Sequence, residues 1–327
     1  GATAAMAELK VDAYGSLRIQ AESVSVDKPV PGLEDNYTGL RDAFSRFGAA
    51  ANYALNNGTT LGAKIEVPFN SAGLRAEDPT GFEGFYKDNN APRVAKLTAA
   101  GDWGSLAAGM QWLTYYNHIA YPVDYFSSFY SGWATHAAFR REAVTYNSPD
   151  FAGFGFSVSG VDSSAASNTE YLDTMQYAAS YNNGGLSLAL ALEDRDDKAG
   201  GQKTTGFSAA YTTGPWRFAG KMEKMELSGN DNIIRNIYTS YSMDKYTFKA
   251  HYAMGDDTGP GFYKQDSMHL GVDYQYTKNF KVFAEYFFEE KGYAVLPNDS
   301  IKNYLNDDYY SVGKDAQAFA LGARYDF

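Results

Sequence analysis

The chain has 327 residues, no cysteine and a formal net charge of −11, which excludes a disulfide framework, a thiolate metal site and a nucleic-acid partner that needs clustered Lys and Arg. Aromatics make up 16% of it, with 27 tyrosines beside 32 glycines, yet the mean hydropathy is −0.42. A hydrophilic chain rich in Tyr and Gly points to many short strands and tight turns rather than a helical bundle.

Ala5-Met6-Ala7 ahead of Glu8 has the small-x-small form of a signal-peptidase site. Residues 1–7 therefore read as a signal-peptide or expression remnant, and residues 8–327 as one domain. Period-two alternation then recurs from end to end. Leu9, Val11, Ala13, Leu17 and Ile19 share one face, with Lys10, Asp12, Ser16, Arg18 and Gln20 opposite. Leu61, Ala63, Ile65 and Val67 repeat the pattern, as do Leu186 to Leu192, Met268 to Tyr276 and Phe280 to Phe288. No stretch approaches the roughly 18–20 apolar residues of a membrane helix. A membrane-spanning strand needs none, because it turns only alternate side chains to lipid.

Turn residues punctuate the strands at Asn56-Asn57-Gly58, Gly101-Asp102-Trp103, Ser148-Pro149-Asp150, Asn182 to Gly185, Thr213-Gly214-Pro215, Met243-Asp244-Lys245 and Thr277-Lys278-Asn279. Between them lie longer polar segments, around 26–43, 70–92, 113–137, 162–170, 194–204, 224–234, 255–265 and 290–314. Short and long connections alternate, predicting about sixteen strands, each long enough to cross a bilayer when tilted. A soluble sandwich also alternates, but its two ends carry loops of similar length. Aromatics near the predicted strand ends, among them Tyr14, Phe47, Trp103, Trp112, Phe154, Tyr177, Tyr181, Tyr211, Trp216, Tyr246 and Phe280, suit a membrane–water boundary. The predicted fold is an all-β, sixteen-stranded antiparallel transmembrane barrel.

The C-terminus carries the most specific local signal. Phe319, Leu321, Ala323, Tyr325 and Phe327 alternate with Ala318, Ala320, Gly322, Arg324 and Asp326, and the chain ends on Phe327. This resembles the terminal strand of bacterial outer-membrane barrels. Glu8 to Gly15 is similar to the first strand of Gram-negative general porins, and Arg141 to Phe154 to the segment such porins place after their third loop. The resemblance covers the whole chain. It implies an outer-membrane homotrimer with short periplasmic turns and long external loops, contacting lipid and lipopolysaccharide and passing small polar solutes and ions. It also implies a third loop folded inward to narrow each channel.

Here that constriction loop is residues 113–137. General porins place several carboxylates on it, whereas Asp124 is its one acid. Tyr115, Tyr116, Tyr121, Tyr125, Phe126, Phe129, Tyr130 and Trp133 make it aromatic, with His118 and His136 nearby. The rings can stack on sugars or pin the loop to the barrel wall; both readings stand. Either histidine can tune conductance with pH or serve as a plain hydrogen-bonding group.

Alternation also assigns charge to the lumen. Arg18, Arg46, Lys64, Lys96 and Arg141 fall opposite the apolar face on strands one, two, three, four and six and form a predicted basic pore wall. Arg217, Lys221 and Lys249 face inward too, offset by Glu193, Glu223, Asp273 and Glu285. A charge facing lipid at mid-depth would cost roughly 2–4 kcal/mol, so inward placement is close to forced. The wall either biases ion passage or merely keeps the channel wet. The surplus acid sits in predicted external loops, as in Asp194-Arg195-Asp196-Asp197, Asp256-Asp257 and Asp307-Asp308, none with calcium-loop spacing. Four scattered histidines and the absence of a nucleophile-elbow or metalloprotease motif assign no catalytic residue, metal or cofactor. The expected function is passive diffusion of small hydrophilic solutes. The alternative is a selective channel for oligosaccharides or small anions using the aromatic loop and the basic wall.

Overall fold

The computed structural model describes residues 8–26, 36–72, 92–130, 133–162, 172–196, 201–256, 266–290 and 315–327. Sixteen antiparallel crossings follow in chain order. They are β1 (Leu9–Val26), β2 (Asn36–Asp42 continued by Arg46–Ala54), β3 (Thr60–Pro68), β4 (Val94–Gly101), β5 (Gly104–Trp112), β6 (Arg140–Asn147), β7 (Phe154–Val161) and β8 (Thr174–Asn183). The second half comprises β9 (Leu186–Arg195), β10 (Gln202–Thr213), β11 (Trp216–Leu227), β12 (Asn230–Met243), β13 (Tyr246–Gly255), β14 (Ser267–Gln275), β15 (Phe280–Glu289) and β16 (Ala316–Asp326). Each strand pairs with its neighbour in sequence, and β16 pairs with β1. The sheet therefore has no free edge, as lipid demands of backbone groups that find no partner in hydrocarbon.

Alternation holds in three dimensions. Leu97, Leu190, Ile237, Phe319 and Leu321 are exposed on the outer face. Their strand neighbours Lys96, Ala189, Asn236, Ala318 and Ala320 face inward. Near the short-turn end, outward rings contact one another, Phe154 with Tyr181, Trp216 with Tyr241 and Tyr246 with Tyr274, at centroid separations of 4.6, 4.7 and 4.9 Å. This is the expected interfacial belt. Two rings predicted for it lie elsewhere. Tyr14 points inward and donates to Glu66 at 2.7 Å, and Trp112 lines the lumen.

The register of β2 shifts once. Asp42 opposes Ile19 and Arg46 opposes Ser16, so three residues of β2 face two of β1. The extra residue makes a bulge, with Phe44 at φ 66° and the Asp42 carboxylate accepting from the amides of Phe44 and Ser45. A one-residue shift exchanges faces, which is why Arg41 and Arg46, five positions apart, both turn inward.

All seven predicted short turns join strands where expected. The predicted long segment 224–234 is instead a tight hairpin. β11 and β12 run on to a two-residue turn at Ser228 (φ 51°) and Gly229 (φ 79°), which supplies the positive φ that such turns require. Residues 36–42, predicted within a loop, extend β2. Residues 1–7 and most of the other predicted long loops lie outside the described residues.

The closing seam depends on two small residues. Gly15 donates to the Phe327 carbonyl at 2.9 Å and accepts from the Phe327 amide at 3.0 Å, and a Cβ at Gly15 would meet the Phe327 ring. Gly322 faces inward beneath Phe283, where a Cβ would lie 2.1 Å from the ring and 2.7 Å from the Ile19 carbonyl oxygen. Gly322→Val must therefore displace both a ring and a backbone atom, costing about 1–3 kcal/mol. It should lower the temperature at which the barrel loses its compact, fast-migrating form in detergent electrophoresis. An unchanged transition would show that Phe283 moves aside freely.

Candidate functional site

The third long connection leaves the wall after Trp112 and rejoins it at Arg140, passing through one turn of wide helix (Tyr116–Ala120) and a tighter turn (Tyr121–Val123). Small inward residues make room for it. Tyr115, Ile119 and Ala137 pack on Ala178, Ala189 and Ala191, and Val123 packs on Ala210, Ala219 and Tyr238. At Gly206 on β10 a side chain would collide with the Tyr115 hydroxyl and Ile119.

Polar anchoring runs both ways. Loop amides donate to carboxylates and side-chain carbonyls of the wall, while Arg217, Lys249, Ser208 and Gln202 of the wall donate to the loop carbonyls of Pro122, Tyr125, His118 and His136. Glu285 on β15 accepts from the amides of Ser127 (2.9 Å) and Ser128 (3.1 Å). Glu223 on β11 accepts from the His136 amide at 2.7 Å and the Thr135 hydroxyl at 2.9 Å. Glu193 on β9 accepts from the Ala138 amide, Gln176 on β8 from the Tyr115 amide, and Gln20 on β1 from the Phe129 amide, each at 2.8 Å. Tyr130 donates its hydroxyl to Glu22. Of the inward acids that sequence parity set against the inward cations, Glu193, Glu223 and Glu285 are engaged by the loop. Glu223 also accepts from Lys221 at 2.9 Å, and Asp273 pairs with Lys249 and Lys281. Charge-assisted bonds to backbone amides are among the stronger hydrogen bonds, and these span the lumen from β8 to β1.

On the open side a cavity of about 920 Å³ remains. Nine cations line it, Arg18, Arg46, Arg93, Arg140, Arg217, Arg324, Lys245, Lys249 and Lys281, against two acids, Asp124 and Asp273. Asp273 sits 2.6 Å from Lys249 and 3.0 Å from Lys281. Glu66 backs the opposite wall, 3.0 Å from Arg93 and 3.9 Å from Arg46, and Asp326 lies 2.8 Å from Arg324. Counting these backing acids, nine cations face four carboxylates. Arg18 stands directly across from Arg324 in the β1–β16 register, an arrangement of like charges that costs stability. Asp124 accepts from the Tyr116 hydroxyl at 2.7 Å. Burial pushes its carboxyl above the usual range, opposed by the Tyr116 bond and the charges of Arg18 and Arg46.

Of the predicted basic wall, Arg18 and Arg46 line this cavity. Lys64 and Lys96 do not. They oppose each other on β3 and β4, and Lys64 lies 4.9 Å from the Tyr14 ring centroid, four residues along β3 from the Arg46 level. Arg141 is exposed, donates to the Arg140 carbonyl at 2.8 Å, and leaves the lining position to Arg140. Arg141 keeps the parity of the buried Ala143 and Thr145, opposite Gln111, but lies outside this cavity. Arg93 was missed because it precedes the first regular residue of β4. Arg324 was legible on the polar face of the last strand, and closure onto β1 is what brings it beside Arg18.

In the loop, Tyr116, Tyr121, Asp124, Tyr125, Phe126 and Trp133 line the cavity, whereas Tyr115 is fully buried. Phe126 stacks on His269 at 3.6 Å and Tyr125 on Tyr238 at 5.3 Å. His118 donates from Nδ1 to the Thr114 carbonyl at 2.8 Å, and burial lowers its pKa. His136 donates to Asn232 at 2.8 Å.

A family model described as Gram-negative porin matches residues 1–291. The chain belongs to the Gram-negative porin family. It is an outer-membrane channel for passive diffusion, and this family and fold comprise channel proteins rather than enzymes. Among solved structures the porin resembles an anion-selective porin from Comamonas acidovorans, with a TM-score of 0.77 and 18% identity over 98% of this chain and 100% of that one. It also resembles OmpF of Salmonella typhi, solved with daunomycin, with a TM-score of 0.71 and 18% identity over 97% and 98% of the two chains. The trimer form of OmpT from Vibrio cholerae gives 0.65 and 19% over 98% and 99%. Comparison with curated proteins returns no match.

Glu285 accepts from two loop amides and from His269, so Glu285→Ala leaves buried donors unpaired at about 1–3 kcal/mol. Single-channel recordings should then show larger or noisier conductance as the segment around Ser127 detaches. Quiet steps of unchanged size would mean that the stacked rings hold the loop without it.

Proposed function

We propose that this porin is a general diffusion channel with a preference for anions, set by the excess of arginine and lysine around the passage beside the third loop. The nine-to-two lining carries the reading. Cations concentrated in a narrow, low-dielectric passage raise the local concentration of anions and repel cations. The wall acids that could balance them are partly turned to the loop's amides. Arg18, Arg46 and Arg93, together with Arg324 across the seam, are the residues assigned to this role. Lys64 and Lys96 contribute at longer range, and Arg141 least.

The test is the reversal potential of reconstituted channels under a chloride salt gradient. The native channel should give the sign of anion preference. Arg46→Glu combined with Arg93→Glu removes two positive charges and adds two negative ones beside Glu66, and should bring the potential close to zero. Arg141→Glu should shift it far less. A double variant indistinguishable from the native channel would place the selective point elsewhere.

The working assembly we propose is a homotrimer. Two features support it: the trimer form of the similar Vibrio cholerae protein, and an outer face over β2 to β5 that carries the small residues Ala49, Ala51, Ala63, Ala95 and Ala108. Light scattering in mild detergent should return the mass of three 35.9 kDa chains; one chain per particle would rule the trimer out. Lipid and lipopolysaccharide are the proposed surroundings of the outer face and the long-loop rim.

A further inference from the structure

The lining that carries the cations also carries a continuous strip of aromatic rings that ion preference alone does not need. Trp112 stacks on Tyr116 at 4.4 Å, Tyr116 meets Trp133 at 5.4 Å and Tyr121 at 6.2 Å, and Tyr121 meets Tyr125 at 5.9 Å. All five line the cavity. Guanidinium groups sit at both ends of the strip. Arg140 and Arg93 lie 5.2 and 5.9 Å from the Trp112 ring, and Arg217 lies 4.6 Å from the Tyr125 ring. Tyr121, in the middle, is 52% exposed, in a loop whose Tyr115 and Tyr130 are almost completely buried.

We infer that the strip and the arginines facing it form a subsite for aromatic carboxylates, entered on the way through the constriction. The inference rests on the anion-preferring reading and narrows it to a class of solute. Two complementarities carry it. A carboxylate only accepts hydrogen bonds, and guanidinium and ammonium groups only donate, so the cationic wall satisfies it fully. A sugar offers donors as well as acceptors, and the one loop carboxylate able to receive them, Asp124, already accepts from Tyr116. The flat part of the solute would lie on the faces or edges of Tyr121 and Tyr116, where aromatic pairs gain beyond simple area burial. The cavity of about 920 Å³ falls within the size range of small-molecule sites.

The experiment is block of chloride current through the native channel in a planar bilayer by three probes. Benzoate has the ring and the charge, cyclohexanecarboxylate has the charge without the π face, and benzamide has the ring without the charge. Benzoate should block saturably, with half-block at about fivefold lower concentration than cyclohexanecarboxylate, and benzamide should not block in that range. Tyr121→Leu should bring the two carboxylates together; with its ring half in solvent, the variant is expected to fold. Equal block by the two carboxylates in a channel whose reversal potential still shows anion preference would overturn the subsite and leave the anion reading standing. Block by benzamide equal to that by benzoate would overturn the role of the arginines in it. A reversal potential of the opposite sign would overturn the anion preference itself, and the subsite with it.

Discussion

The absence of hydrogen-bonding partners in hydrocarbon is the constraint on which everything else in this porin depends. It forces the sheet to close, so β16 must return to β1, and the last residue of the chain becomes part of the seam through its backbone exchange with Gly15. Closure divides every strand into a lipid face and a lumen face. Apolar and aromatic side chains go out, and what cannot go out goes in. The glycines at 15 and 322 stand where rings from neighbouring strands cross the seam, one on each face. The bulge at Ala43 to Ser45 is the single phase correction in β2, and it lets Arg41 and Arg46 share the lumen.

Closure alone would leave a wide wet tube. The third loop narrows it, and its attachment inverts the usual assignment of charge. Instead of an acidic loop facing a basic wall, a nearly uncharged aromatic loop offers amides to acids on the wall. Glu193, Glu223 and Glu285 would be costly if buried alone. Each is instead paired with backbone donors that the loop would otherwise bury unsatisfied. The same contacts remove these carboxylates from the passage, leaving its cations in excess. Loop anchoring and channel electrostatics are thus one arrangement, and a chain of net charge −11 can hold a positively lined passage.

The aromatic residues divide by depth. Tyr115 and Tyr130 are buried and bonded to Glu223 and Glu22, the pinning role. Trp112, Tyr116, Tyr121, Tyr125 and Trp133 face the cavity, where they stay available to solute. Of the two readings the sequence left open, pinning to the wall describes Tyr115 and Tyr130.

The sequence by itself determined the barrel, its sixteen crossings and the short turns, because side-chain alternation and turn chemistry are local and repeat at every strand. The inward fold of the third loop was implied only by the resemblance to general porins. It also determined that Arg18 and Arg46 face the lumen. Only the tertiary structure decided which inward charges meet. Arg324 joins Arg18 through closure of the chain ends, Arg93 and Arg140 enter from strand ends where parity has no hold, and Lys64 and Lys96 fall at a different height. Residues 224–234 became a hairpin because Ser228 and Gly229 adopt positive φ, which composition does not reveal. The acids of β9, β11 and β15 were legible as inward, but not as partners of the loop. That pairing depends on where a loop more than a hundred residues distant from some of them comes to rest, and no local period encodes such a distance.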